Sequence, residues 1–175
     1  MTRTLHLAWA VLRPRPAVPG QTIHSPSVTR LRVHVGDLDL YRHVNNGVYL
    51  QYMDVARSNY LADLGAFPLL AERGWYPVVA ASTMKYRRSL TLGQRFTVTT
   101  RVLGWDDRVV YLDQVFERGE DLVARGLVAG RFLSRSGERI PAPEVVALLD
   151  GAPSVSPPLP DDVATWARAL DVAAR

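Results

Sequence analysis

The chain has no cysteine among its 175 residues. Disulfides, thiolate nucleophiles and cysteine-ligated metals are therefore excluded. A reducing compartment fits this absence, and a cytoplasmic location is expected. Long apolar runs are missing too. The most apolar stretch near the start, "MTRTLHLAWAVL", is interrupted by His6 and followed by "RPRP". It carries no small-residue cleavage pattern and is too short to span a bilayer. It reads as a packed or frayed segment, with weak peripheral membrane contact through residues 1–16 as the lesser alternative. Acids are absent from residues 1–30, which hold Arg3, Arg13, Arg15 and Arg30 and account for the net charge of +4. No segment interleaves basic and aromatic residues on one face, so nucleic acid is not expected as a partner. His6, His24, His34 and His43 have no metal-ligand spacing. There is no G-x-S-x-G and no glycine-rich phosphate loop. No metal and no cofactor are implied.

The composition is 47% hydrophobic and 22% charged, which is that of a globular chain. The length suits one domain with extensions. Residues 13–27, "RPRPAVPGQTIHSPS", read as a linker. The alternation in "VTRLRVHV" predicts a first strand. From Asn45 the period changes. Tyr49, Met53, Ala56, Tyr60 and Leu64 repeat at helical spacing, and Val48, Tyr52 and Val55 widen the stripe. Gln51, Asp54 and Ser58 are expected on a polar face, with Asp54 and Arg57 as an intrahelical pair. Asn45 or Asn46 can cap the start and Gly65 can end the helix. "FPLLAERGW" predicts a short helical turn and loop.

Four strand patterns follow: "PVVAASTMKYRR", "QRFTVTTRVLGW", "RVVYLDQVFE" and "DLVARGLVAGRFLS". The links between them are short, which predicts antiparallel hairpins. Ala124, Gly126, Ala129 and Gly130 in the last strand invite a bulky neighbour, the long helix being the natural one. One sheet must bury a face and one helix must be covered. The economical solution is an α+β hotdog fold, with the sheet wrapped around the helix. The expected organisation is an N-terminal segment and linker at 1–27, the hotdog domain at 28–141, and a Pro-rich linker with an amphipathic helix at 142–175. That helix is expected to dock on its own or a partner subunit.

"GDLDLYRHVNNGVYLQYMDVARSNYL" resembles the 4-hydroxybenzoyl-CoA thioesterase-like branch of the hotdog acyl-CoA thioesterases. "HVNN" is similar to the same tetrad in plant acyl-ACP thioesterases. "KYRRSLTLGQRFTVTTRVLGWDDR" resembles the strand pair that follows, so the resemblance covers roughly residues 29–140. It implies hydrolysis of an acyl-CoA or acyl-carrier thioester by a homodimer or homotetramer. It implies Asp39 as the catalytic carboxylate, with the helix start at Asn46 polarising the thioester carbonyl. His43 and Asn45 match the tetrad, and Asp37 is matched less firmly to a role. Tyr41 stands where the plant enzymes carry asparagine, which favours a simpler, aspartate-centred scheme.

The chemistry fits those residue types. A carboxylate can act as general base or nucleophile. The first N–H groups of a helix lack intrahelical partners and carry partial positive charge, so they can hold a developing oxyanion. Asp39, His43 and Asn46 are the catalytic candidates. Asn45, Tyr49, Lys85, Tyr86 and Arg88 are the substrate-binding candidates, the cations facing phosphate. Each has a plainer role open to it. Asp39 can close a turn, His43 can be a structural hydrogen-bonder, the asparagines can be caps, and the cations can be solvated strand edges. A non-catalytic acyl- or lipid-binding module on the same fold is the alternative function.

Overall fold

A computed structural model describes residues 10–173 of the chain. The segment of residues 1–16 considered for membrane contact therefore lies largely outside the described residues. No helix among those described is long and apolar enough to cross a membrane.

The elements run β1 (Ser27–Arg32), α1 (Asn46–Asp63), α2 (Ala66–Arg73), β2 (Trp75–Tyr86), β3 (Arg95–Trp105), β4 (Val110–Arg118), β5 (Asp121–Ser134), β6 (Arg139–Ile140), α3 (Ala142–Val146) and α4 (Asp161–Ala169). The sheet order is β1-β3-β4-β5-β2, with β6 added to β5 and every pairing antiparallel. The hotdog α+β architecture is present. The predicted helix matches α1 to within two residues, and the four predicted strands are all found. The hairpin predicted across "SLTLG" is not: β2 crosses to pair with β5 at the sheet edge, while β3 pairs with β1 and β4.

The sheet curls around α1 because its inner positions alternate with outer ones. Phe96, Val98, Leu112, Phe116, Ala124 and Val128 are buried beneath Tyr49, Tyr52, Met53 and Ala56 of the helix. Aromatic rings key the two layers. Tyr52 meets Phe96 at 4.9 Å between centroids, and Tyr49 meets Phe116 at 5.4 Å. Gly126 permits the close approach expected of the small residues in β5. A Cβ there would lie 2.5 Å from Met53 Cε and 2.6 Å from Met84 Sδ. Ala129, of the same small set, faces the other side of the sheet and packs against the C-terminal segment instead.

Three other expectations need correction. Residues 13–27 are packed along the helix end rather than free. Arg15 pairs with the buried Asp63 and donates to Ser27 Oγ at 2.8 Å, and the Tyr60 hydroxyl donates to the Ile23 carbonyl. The Pro-rich stretch before α4 is likewise a clamped strap. Ser156 Oγ accepts from the Trp105 N–H at 2.8 Å, where Gly104 leaves room for the strap. The turn predicted at "FPLLAERGW" is a helix of eight residues, bracketed by Gly65 and Gly74 in left-handed conformations. The C-terminal helix docks on its own sheet. Val163 and Ala167 bury against Val109, Tyr111 and Ala129 on the outer face.

Candidate functional site

The loop between β1 and α1 is a small hairpin that hands the chain to the helix. Leu38 bridges Val44. The Asp39 N–H donates to the His43 carbonyl at 2.8 Å, and the Arg42 N–H donates back to the Asp39 carbonyl at 3.1 Å. Arg42 takes a left-handed φ of 63° to close this turn. Val44 and His43 then join the loop before β3, through the Leu90 carbonyl and a bridge to Thr91.

Asp37 is fully buried and anchors the loop. Its Oδ2 accepts from the His34 N–H at 2.6 Å, and its carbonyl accepts from the Asn45 N–H at 2.9 Å. Asp39 is half-buried. Its Oδ1 accepts from the N–H groups of Tyr41 at 2.9 Å and His43 at 3.3 Å. One oxygen thus shapes the turn, and Oδ2 makes no hydrogen bond among the described residues.

Asn45 is the N-cap of α1, its Oδ1 accepting from the Gly47 N–H at 2.9 Å. The Val48 N–H reaches the Asn45 carbonyl. The Asn46 N–H has no acceptor among the described residues. The helix start therefore presents one open donor, set at the positive end of an eighteen-residue helix. The Tyr86 hydroxyl donates to the Asn46 carbonyl at 3.3 Å, and its ring stands edge-on to Tyr49 at 5.1 Å. Burial raises the pKa of the Tyr49 phenol. A backbone hydrogen bond from Leu90 partly offsets that, and Tyr86 adds to the rise. Tyr86 is likewise raised by burial. Both stay protonated at neutral pH.

The structure thus gathers Asp39, His43, Asn45, Asn46, Tyr49 and Tyr86 around the helix start. Lys85 and Tyr86 stand on opposite faces of β2, because successive strand residues alternate. Lys85 faces outward, paired in register with Arg125. Arg88 is exposed and forms an ion pair with Asp121 at 3.3 Å.

Asp54 and Arg57 form the expected intrahelical pair, with the Asp54 carboxylate part-exposed and the Arg57 guanidinium largely covered. Gln114 rises from the inner face of β4 to accept from Arg57 Nη1 at 2.7 Å. Its own amide donates to the Met53 carbonyl and to Thr100 Oγ1. Desolvation lowers the Arg57 pKa, with Asp54 opposing the shift. Desolvation also holds the Asp54 carboxyl above its usual range, and Arg57 offsets only part of that. The pair stands at the edge of a cavity of about 380 Å³ between the second half of α1, α2, α3 and the sheet. Sequence reasoning missed Gln114. A glutamine in phase with Val110, Leu112 and Phe116 was the available signal, since those positions share the buried face.

A family model described as the thioesterase-like superfamily matches residues 33–167. The chain is 34% identical over 136 residues to Protein THEM6 of Xenopus laevis, covering 77% of this chain and 64% of that one. It is 30% identical over 87 residues to the long-chain acyl-CoA thioesterase FadM of Escherichia coli, covering 50% of this chain and 66% of that one. Among solved structures, the YbaW probable thioesterase from Escherichia coli superposes with a TM-score of 0.64 at 23% identity, over 70% of this chain and 98% of that one. A mutant 4-hydroxybenzoyl-CoA thioesterase complexed with 4-hydroxybenzoyl-CoA gives 0.65 at 18% identity, over 71% and 99%.

Proposed function

Because this chain belongs to the thioesterase-like superfamily, we propose that it hydrolyses an acyl-CoA thioester at the start of α1. The observation that carries the reading is the open Asn46 N–H at the end of a short hairpin whose turn holds a carboxylate with one uncommitted oxygen. The thioester oxygen sits on that N–H. Asp39 activates a water, or attacks the carbonyl itself to form an anhydride that water then opens. In either route the electron pair of the C–S bond leaves on sulfur and a proton restores the thiol. His43 stands across the turn from Asp39 and helps orient it or the water. Asn45 holds the helix start in place, while Tyr49 and Tyr86 form an apolar floor. Lys85, on the outer face of β2, and Arg88, ion-paired with Asp121, are left out of this scheme.

A homodimer is the favoured assembly, in a cytoplasmic setting. β2 is a twelve-residue edge strand with Tyr76 and Val79 half exposed and a single charged residue. Such an edge calls for a partner strand, and a second β2 supplies one.

The test is free-thiol release from a panel of acyl-CoAs, with wild type beside Asp39→Asn and both shown to be folded. The expected result is turnover by wild type and a loss of about a hundredfold or more in the variant. No turnover on any acyl group, with acyl ligand bound equally by both proteins, would overturn the hydrolase reading in favour of a binding module.

A further inference from the structure

Leu50 is the one large apolar side chain of α1 left exposed, at 42%. A mostly buried helix has no packing reason to turn a leucine to water at that point. Leu50 lies four residues after Asn46 and four before Asp54. Arg57, Leu61 and Leu64 fall within a quarter turn of the same line, as 3.6 residues per turn requires. One stripe of α1 thus runs from the open N–H, over Leu50, to the cavity. Asp54 stands about 12 Å of helix rise beyond Asn46.

The cavity walls are apolar apart from Asp54, Arg57 and Ser58. Those polar groups leave little charge facing an apolar occupant. Asp54 and Arg57 neutralise each other, and Gln114 Oε1 accepts a further hydrogen bond from the guanidinium. At about 380 Å³ the space falls in the ordinary range of ligand sites, about 300–1,000 Å³.

Gly130 forms part of the wall, and its role differs from that of Gly126. A Cβ at Gly126 would collide with two methionines. A Cβ at Gly130 would make ordinary contacts, 3.5 Å from Leu112 Cδ1 and 3.7 Å from the Val110 carbonyl. A Cβ would thus fit beside Leu112 without displacing it, and any larger side chain there would extend into the cavity that Gly130 lines.

We propose that the α1 stripe and this cavity form the acyl channel, that its occupant is an extended, unbranched acyl chain, and that Gly130 sets the longest chain admitted. The proposal rests on the thioester reading of the helix start and names the substrate class for it. A single-ring aryl group held at Asn46 would end short of the cavity, whereas a fatty chain runs along Leu50 and into it.

Two readouts test this. The first is the ratio of kcat/KM on palmitoyl-CoA to that on butyryl-CoA. The second is direct binding of the fluorescent fatty acid cis-parinaric acid, which needs no hydrolysis. Gly130→Val narrows the cavity. Leu50→Glu charges the stripe from the surface, where folding is not at risk. Each is expected to lower the ratio about tenfold and to weaken fatty-acid binding about tenfold. Folded variants with the wild-type ratio and affinity would overturn the proposal, as would a wild-type preference for aromatic thioesters. Tighter fatty-acid binding after deletion of residues 1–9 would give the cavity to the chain's own N-terminus and overturn it too. The two readings fail separately. Hydrolysis with an unaltered length profile sinks the channel alone. Fatty-acid binding that depends on Gly130 and Leu50 in a protein with no turnover sinks the hydrolase reading alone.

Discussion

The two ends of α1 are built in opposite ways. The first turn is polar, largely exposed and assembled chiefly from neighbours in sequence, with Tyr86 and the Leu90–Thr91 stretch as its distant supports. Asp37, Asp39, His43 and Asn45 tie one another through bonds spanning eight residues or fewer. The second half is apolar and assembled from afar, with α1 meeting β2, β4, β5 and α3 around the cavity. The difference teaches where each property resides. Chemistry at the helix start depends on local backbone geometry. The space at the other end depends on which side chains the sheet omits.

That contrast is sharpest between two glycines of one strand. Gly126→Val should destabilise the protein by about 3 kcal/mol, because Met53 and Met84 already occupy the space. Gly130→Val should cost less than about 1 kcal/mol, since its Cβ meets only ordinary contacts. Urea unfolding of both variants measures the gap. Equal losses would mean that the space beside Gly130 is already committed to packing.

A middle-sized effect is expected at the buried polar relay. Gln114→Leu removes the acceptor of Arg57 and the donor to Thr100. Leaving those groups unsatisfied should cost about 2 kcal/mol, read from the same unfolding curves. A smaller one is expected at the helix start. Asn45→Ala loses the cap on the Gly47 N–H and should cost about 1 kcal/mol. A larger loss at Asn45 than at Gln114 would reverse the view that stability is concentrated in the distant half.

The smallest effect is one of pH. The Asp54 carboxyl titrates above its ordinary value in the fold, with burial as the main cause. Its contribution is therefore full below the unfolded-state pKa and is lost as pH rises through the folded one. Asp54→Asn does not titrate. The stability of wild type relative to this variant should fall as pH climbs from about 4 toward neutrality. Unfolding midpoints of both proteins across that window check it, and a constant gap would mean that Arg57 fully compensates for burial.

The same contrast governs what could be read from sequence. The long helix and the four strands follow from periodicity, which is a local property, whereas the pairing of β2 with β5 rather than β3 is set by the whole sheet and was missed. Most of the cluster at the helix start was legible because all its members but Tyr86 lie close together in sequence. Asp54 and Arg57 were legible as an intrahelical pair, but helical spacing shows only one side of the contact. The other side is Gln114, sixty residues away in sequence and fixed by the β4 register. The segments around residues 13–27 and 150–160 were read as linkers from their prolines. Proline content reports that a stretch is neither helix nor strand, but not whether it is packed. Lys85 and Arg88 next to Tyr86 suggested one patch, which the pleat divides between faces.

The strap and α4 that cover the outer face of the sheet have a consequence for synthesis. α4 follows every strand in the chain, so all the strands leave the ribosome before their cover does. During that interval Val109, Tyr111 and Ala129 line a bare apolar surface on an otherwise formed sheet. A nascent chain stalled before residue 160 is thus a sheet with one sticky side, and the nine-residue helix α4 is what covers it.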